Sequence, residues 1–111
     1  MMEQQLAIDT EPTFAGFALV VPEAGEVIVV DVDGTPVAVT TLDGGSIAFD
    51  ETCTHRECPL SEGTFDGATV TCPCHKSRFD LRTGEPLNGP ATLPIRVRAV
   101  RVEDGRLFIE R

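Results

Sequence analysis

The stretch Cys53-Thr54-His55, followed sixteen residues later by Cys72-Pro73-Cys74-His75, holds both histidines and three of the four cysteines of this 111-residue chain. The fourth cysteine, Cys58, lies between them, so all six residues fall within a span of 23. On an extended chain the side chains of Cys53 and His55 leave from the same side, about 6.6 Å apart along the backbone. One loop therefore presents a thiolate and an imidazole together. Cys72 and His75, with two residues between them on a tight turn, repeat the pair. Between the loops runs Gly63-Thr64-Phe65-Asp66-Gly67-Ala68-Thr69-Val70, with Asp66-Gly67 between apolar or β-branched stretches, a β-hairpin signal. A hairpin here sets the loops side by side and lets Cys53, His55, Cys72 and His75 converge on one site.

Two chemistries fit those four ligands. Zinc takes two cysteines and two histidines tetrahedrally, although zinc motifs usually pair like ligands on one loop, whereas each loop here mixes Cys with His. The alternative is an iron-sulfur centre. The pattern C-x-H, sixteen residues, C-x-x-H, with Cys58-Pro59-Leu60 after the first loop and Ser77 and Phe79-Asp80 after the second, resembles the signature of Rieske iron-sulfur proteins. The resemblance covers essentially everything after residue 13. It implies a [2Fe-2S] cluster with Cys53 and Cys72 on the inner iron and His55 and His75 on the outer one. It also implies an all-β fold, an antiparallel β-sandwich with a cluster-binding subdomain formed by the two loops.

Further residues take roles from the same resemblance. In the Rieske proteins of cytochrome complexes, cysteines matching Cys58 and Cys74 form a disulfide that ties the loops together, and many oxygenase ferredoxins lack it. Such a bridge is expected here, buried beneath the cluster and hard for a reductant to reach. Ser77 matches a position whose hydroxyl donates to a bridging sulfide in high-potential members. Phe79 stands where those members have a Tyr that donates to a ligand cysteine sulfur, a bond Phe lacks. Gly89-Pro90 is the best match to a proline-containing loop that covers the cluster from a third side. Lys76 departs from the pattern, since many members place Gly after the second histidine.

Composition agrees with short strands and many turns. Gly and Pro number eighteen, Val and Ile are frequent, and Trp and Tyr are absent. The chain is long enough for one domain, read as a mobile leader over 1–13 and a single domain over 14–111. Strands are expected at Phe14–Val20, Glu26–Val32, Pro36–Thr41, Ser46–Asp50, Arg78–Leu81, Ile95–Val102 and Leu107–Ile109. Turns are expected at Asp33-Gly34, Asp43-Gly44-Gly45, Arg82-Thr83-Gly84 and Asp104-Gly105. In the strand Ile95–Val102, Ile95, Val97 and Ala99 oppose Arg96 and Arg98, whose arginines read as a solvated face.

The net charge is −9, and residues 1–55 contain ten acidic side chains and no Lys or Arg. That excludes a nucleic-acid partner, which needs a basic surface. The first basic residue, Arg56, falls beside a ligand, as do Lys76 and Arg78, so the site end should be more basic than the body, with Glu57 offsetting part of this. No export signal and no apolar run long enough to span a bilayer is visible, so the expected compartment is the cytoplasm. Nor is there a nucleophile motif, a phosphate loop or a third histidine for a mononuclear iron. The chain is thus expected to be an electron carrier and not an enzyme, passing electrons from a reductase to a terminal oxygenase, with no membrane span and no small-molecule substrate. The alternatives are a small redox subunit of an arsenite-oxidase-like or nitrite-reductase-like enzyme, or a thiol-redox or metal-binding regulatory module using Cys58 and Cys74.

Overall fold

A computed structural model describes residues 13–18, 21–23, 25–43, 45–54, 57–74 and 76–111, and the backbone of 5–6 and 9–10. The strands in chain order are β1 (Gln5–Leu6), β2 (Asp9–Thr10), β3 (Phe14–Phe17), β4 (Val27–Val32), β5 (Thr35–Leu42), β6 (Gly45–Asp50), β7 (Thr64–Asp66), β8 (Thr69–Thr71), β9 (Arg78–Asp80), β10 (Val97–Arg98), β11 (Val100–Glu103) and β12 (Arg106–Glu110). A single 3₁₀ turn at Leu60–Glu62 is the only helical element among the described residues. The expected all-β architecture holds. Two of the strands, β1 and β2, lie within the stretch read as a leader.

Three sheets form. A central sheet runs β1-β4-β5-β6-β10, an outer sheet runs β11-β12-β3-β2, and a small sheet runs β7-β8-β9. All pairings are antiparallel except β1 with β4. The hairpins close where Asp-Gly pairs occur. Asp33 and Gly34, and likewise Asp104 and Gly105, all have positive φ, as a two-residue type I′ turn requires at both central positions. The hairpin between the site loops differs by one residue. Asp66 pairs with Thr69, so Gly67-Ala68 is the turn, with φ +57 at Gly67.

The central sheet is buried on both faces, which explains why β4 and β5 read as nearly continuous apolar runs and not as strict alternation. Val30, Val32, Val37, Val39 and Ala48 pack against Ala15, Phe17, Leu107 and Ile109 of the outer sheet. Ala38 and Phe49, on the opposite face, join Leu60, Val70, Phe79, Leu81, Ala91 and Ile95 together with Cys53 and Cys72. One core makes the sandwich, and the other seats the site loops on it.

The strand expected over Ile95–Val102 breaks at Ala99. Val97 and Arg98 pair with Phe49 and Ala48 of the central sheet, whereas Val100–Glu103 pairs with β12 of the outer sheet. The segment therefore crosses from one sheet to the other, and the alternation blurs at that corner. Arg98 is accordingly not on a solvated face. Its side chain is 4% exposed and its Nε lies 2.6 Å from Asp50 Oδ1, while another guanidinium nitrogen donates to the Glu110 carbonyl at 2.8 Å. A buried cation is retained only when paired in this way. Arg96 is exposed as expected.

Candidate metal centre

Two loops of six residues are each closed by the backbone of a cysteine. The Cys53 N–H donates to the Cys58 carbonyl at 3.0 Å, and the Cys72 N–H donates to the Ser77 carbonyl at 2.8 Å. In each case the acceptor lies five residues on, so both loops turn sharply and present their first residue inward. Lys76 N–H returns to the Cys72 carbonyl at 3.2 Å, and Lys76 itself has φ +64. That left-handed angle suits Gly better than a residue with a Cβ.

The neck of the first loop is braced from below. Glu51 donates its N–H to Pro36 and accepts the Leu60 N–H, while Thr52 bridges Pro59. The buried Glu51 carboxylate accepts the Ser61 N–H at 2.7 Å and the Ser61 hydroxyl at 2.5 Å. Burial pushes the Glu51 carboxyl above its ordinary range against the pull of the two Ser61 hydrogen bonds, with Glu62 adding repulsion. Neither Glu51 nor Ser61 stands out in the sequence, because a spacing of ten residues across a loop carries no periodic signal.

Cys53 and Cys72 are 3% and 1% exposed, sit in the same apolar cluster, and are not joined in a disulfide. Cys58 and Cys74 are bonded to each other. A third segment closes over both loops. The Ala91 N–H donates to Ser77 Oγ at 3.0 Å, the Thr54 hydroxyl donates to the Leu93 carbonyl at 2.7 Å, and the Arg78 N–H donates to Asn88 Oδ1 at 2.7 Å. Gly89 and Pro90, joined by a cis peptide, form the exposed tip of this segment. His55, Arg56 and His75 lie outside the described residues.

Residues 14–101 match the Rieske [2Fe-2S] domain. The chain belongs to that family. It is 36% identical over 86 residues to the ferredoxin component of the naphthalene 1,2-dioxygenase system of Pseudomonas putida, covering 78% of this chain and 83% of that one. It is 44% identical over 80 residues to the 3-phenylpropionate/cinnamic acid dioxygenase ferredoxin subunit of Photorhabdus laumondii, covering 70% and 76%. Among solved structures, the ferredoxin of carbazole 1,9a-dioxygenase from Nocardioides aromaticivorans superposes with a TM-score of 0.77 at 32% identity, covering 82% of this chain and 91% of that one. A complex of reduced oxygenase and oxidized ferredoxin in carbazole 1,9a-dioxygenase gives 0.78 at 32% identity, with 86% and 92% covered.

The match is to an iron-sulfur domain and lends nothing to the zinc reading of the same ligands. The donor set of this Rieske chain also fits iron. Two buried thiols that share one apolar cluster are soft ligands of the kind that hold iron-sulfur centres, and the loops that carry them are bound together by a disulfide and by a common third segment.

The structure corrects one detail of the expectation. The Cys58–Cys74 bridge is not buried beneath the site, since Cys74 is exposed and Cys58 half-buried. Packing instead reserves the interior for Cys53 and Cys72. At the same end, Lys76, Arg78 and Glu57 are exposed, and so are two large apolar side chains of the third segment, Leu87 at 49% and Leu93 at 63%. No helix among the described residues is long and apolar enough to cross a membrane.

Proposed function

We propose that this Rieske chain is a one-electron carrier, accepting electrons from a reductase and delivering them to the terminal oxygenase of an aromatic-ring dioxygenase system. The supporting observation is the kind of protein it resembles. The relatives at 36% and 44% identity are ferredoxin components of dioxygenase systems, and a ferredoxin of the same fold at 32% identity occurs in complex with its oxygenase.

In this reading Cys53, Cys72, His55 and His75 would hold a [2Fe-2S] cluster. When bound, that group supplies a site that takes and gives single electrons. The protein does the rest. The double-sided core fixes Cys53 and Cys72, the two main-chain closures hold the loops, and the segment from Asn88 to Leu93 covers them through Thr54 and Ser77. Ser77 tunes the centre by hydrogen bonding, and Phe79, wholly buried and without a hydroxyl, supplies no such bond. The domain is read over residues 14–111, with β1 and β2 of the preceding stretch added to the edges of its two larger sheets.

The test is reconstitution. With a nicotinamide-dependent reductase and a terminal oxygenase, aromatic substrate should be dihydroxylated only when this chain is added, and the chain alone should turn over nothing. Turnover by the isolated chain, or failure to be reduced by any such reductase despite a bound cluster, would overturn the proposal.

A further inference from the structure

We propose that Asn88 is a modification site of the folded protein: its side chain cyclises onto the Gly89 nitrogen, loses ammonia and opens to aspartate or isoaspartate, adding a negative charge at the ligand-loop end. The modification rests on Asn88 and its neighbours alone, while its consequence for electron delivery rests on the function proposed above.

Asn88 is the only asparagine of the chain, and glycine follows it. Glycine obstructs ring closure least, because it has no side chain to crowd the attacking nitrogen. Space is available as well. Asn88, Gly89 and Pro90 are exposed, and a Cβ built on Gly89 would meet nothing within 4 Å. Among the described residues the Gly89 N–H has no hydrogen-bond partner, so no such bond has to break before the nitrogen attacks.

The carbon under attack is held and polarised. The Leu87 N–H donates to the Arg78 carbonyl at 2.6 Å, and the Arg78 N–H donates to Asn88 Oδ1 at 2.7 Å. The Asn88 side chain therefore takes the place of a strand carbonyl beside β9. Its donor draws charge from Cγ and faces the oxygen on which negative charge develops as nitrogen adds, the part an oxyanion-hole donor plays. The leaving nitrogen, Nδ2, is not engaged by that bond.

The step balances without a change of oxidation state. The Gly89 nitrogen gives up its proton to solvent base and bonds to Asn88 Cγ, and the bond from Cγ to Nδ2 breaks, so that ammonia leaves with a proton from water. Water then opens the succinimide. Cleavage between Cγ and the Gly89 nitrogen gives aspartate, and cleavage between the Asn88 carbonyl carbon and that nitrogen gives isoaspartate. One water is consumed and one ammonia released.

Either product places a carboxylate next to the exposed Arg78, two residues from the exposed Lys76. A charge-changing modification acts through such neighbours, here by cancelling part of the field that draws an acidic partner surface. Isoaspartate also lengthens the main chain running on to Ala91 and its bond with Ser77.

The experiment incubates the folded, cluster-bearing protein over a pH series. The tryptic peptide 83–96, which contains Asn88, is weighed for amide loss and probed for isoaspartate with an isoaspartyl methyltransferase. Amide loss separates Asn88 from the Asp-Gly pairs of the chain, which isomerise without it. Conversion should occur in the folded protein and rise with pH, and Gly89→Ala should slow it severalfold. Amide retained in the folded protein, whether or not a urea-unfolded sample converts, overturns the modification site, and so do equal rates in wild type and Gly89→Ala. For the consequence, Asn88→Asp should slow electron transfer to the terminal oxygenase by roughly 1.5- to 5-fold at low ionic strength, the worth of one exposed charge pair, with the difference fading as salt is added. An unchanged rate overturns the consequence and leaves the modification standing. A chain that reduces no oxygenase overturns the proposed function and the consequence together, while amide loss still decides the site.

Discussion

Ser77 Oγ accepts the Ala91 N–H at 3.0 Å inside the protein, with Ser77 fully buried. Accepting this bond points the hydroxyl proton away from Ala91, and in the proposed carrier Ser77 would donate it to the bound cluster. A bond of that kind favours the reduced, more negative centre and raises its potential. At about 1.5–3 kcal/mol for a hydrogen bond to a charged acceptor, Ser77→Ala should lower the potential by roughly 65–130 mV for one electron. Phe79→Tyr should raise it by a similar amount, and the wild type should lie between oxygenase ferredoxins and cytochrome-complex centres. Protein-film voltammetry of the two variants checks this, and no movement in either would remove both residues from the tuning role.

The Glu51–Ser61 pair offers a stability test. Glu51→Ala strands the Ser61 N–H and hydroxyl at the neck of the first loop and should cost about 2 kcal/mol, read as a fall in Tm of roughly 8–16 °C for a domain near this size. Glu51→Gln keeps one acceptor and should cost about half as much. Removing both partners in Glu51→Ala with Ser61→Ala should cost less than the sum of the single changes, because the Ser61 hydroxyl is then no longer left without its acceptor. Thermal melts of the cycle decide it.

Lys76 combines a local cost with a surface charge. Its φ of +64 is unfavourable for a residue with a Cβ, so Lys76→Gly should raise stability by about 0.5–1 kcal/mol. Its exposed ammonium should also steer docking to an acidic partner surface. Lys76→Glu should therefore slow electron transfer to the oxygenase severalfold at low ionic strength, with the difference fading as salt is added. Stopped-flow rates across a salt series provide the check.

Most of the fold was legible because its turns are local. Asp33-Gly34 and Asp104-Gly105 announce type I′ hairpins through residue type alone, and the β-branched runs between them need no distant information. The ligand loops were legible for the same reason, since C-x-H and C-x-x-H are short patterns. What escaped depends on contacts between segments far apart in sequence. The alternation blurs at Val100 to Val102, but that alone does not say that the chain changes sheets at Ala99, and the burial of Arg98 depends on Asp50, 48 residues away. Thr54 and Leu93 meet across 39 residues, so the anchoring of the third segment could be named only by resemblance. The exposure of Cys74 follows from the packing of the loops and has no sequence signal.

The most direct test of the central claim is the electron paramagnetic resonance spectrum of the purified protein after reduction with dithionite. A Rieske centre held by Cys53, His55, Cys72 and His75 should give a rhombic signal of low average g that disappears on reoxidation, and Cys72→Ser or His75→Ala should abolish or alter it. A silent spectrum from a protein that binds zinc, or a signal unchanged by both substitutions, would contradict the account.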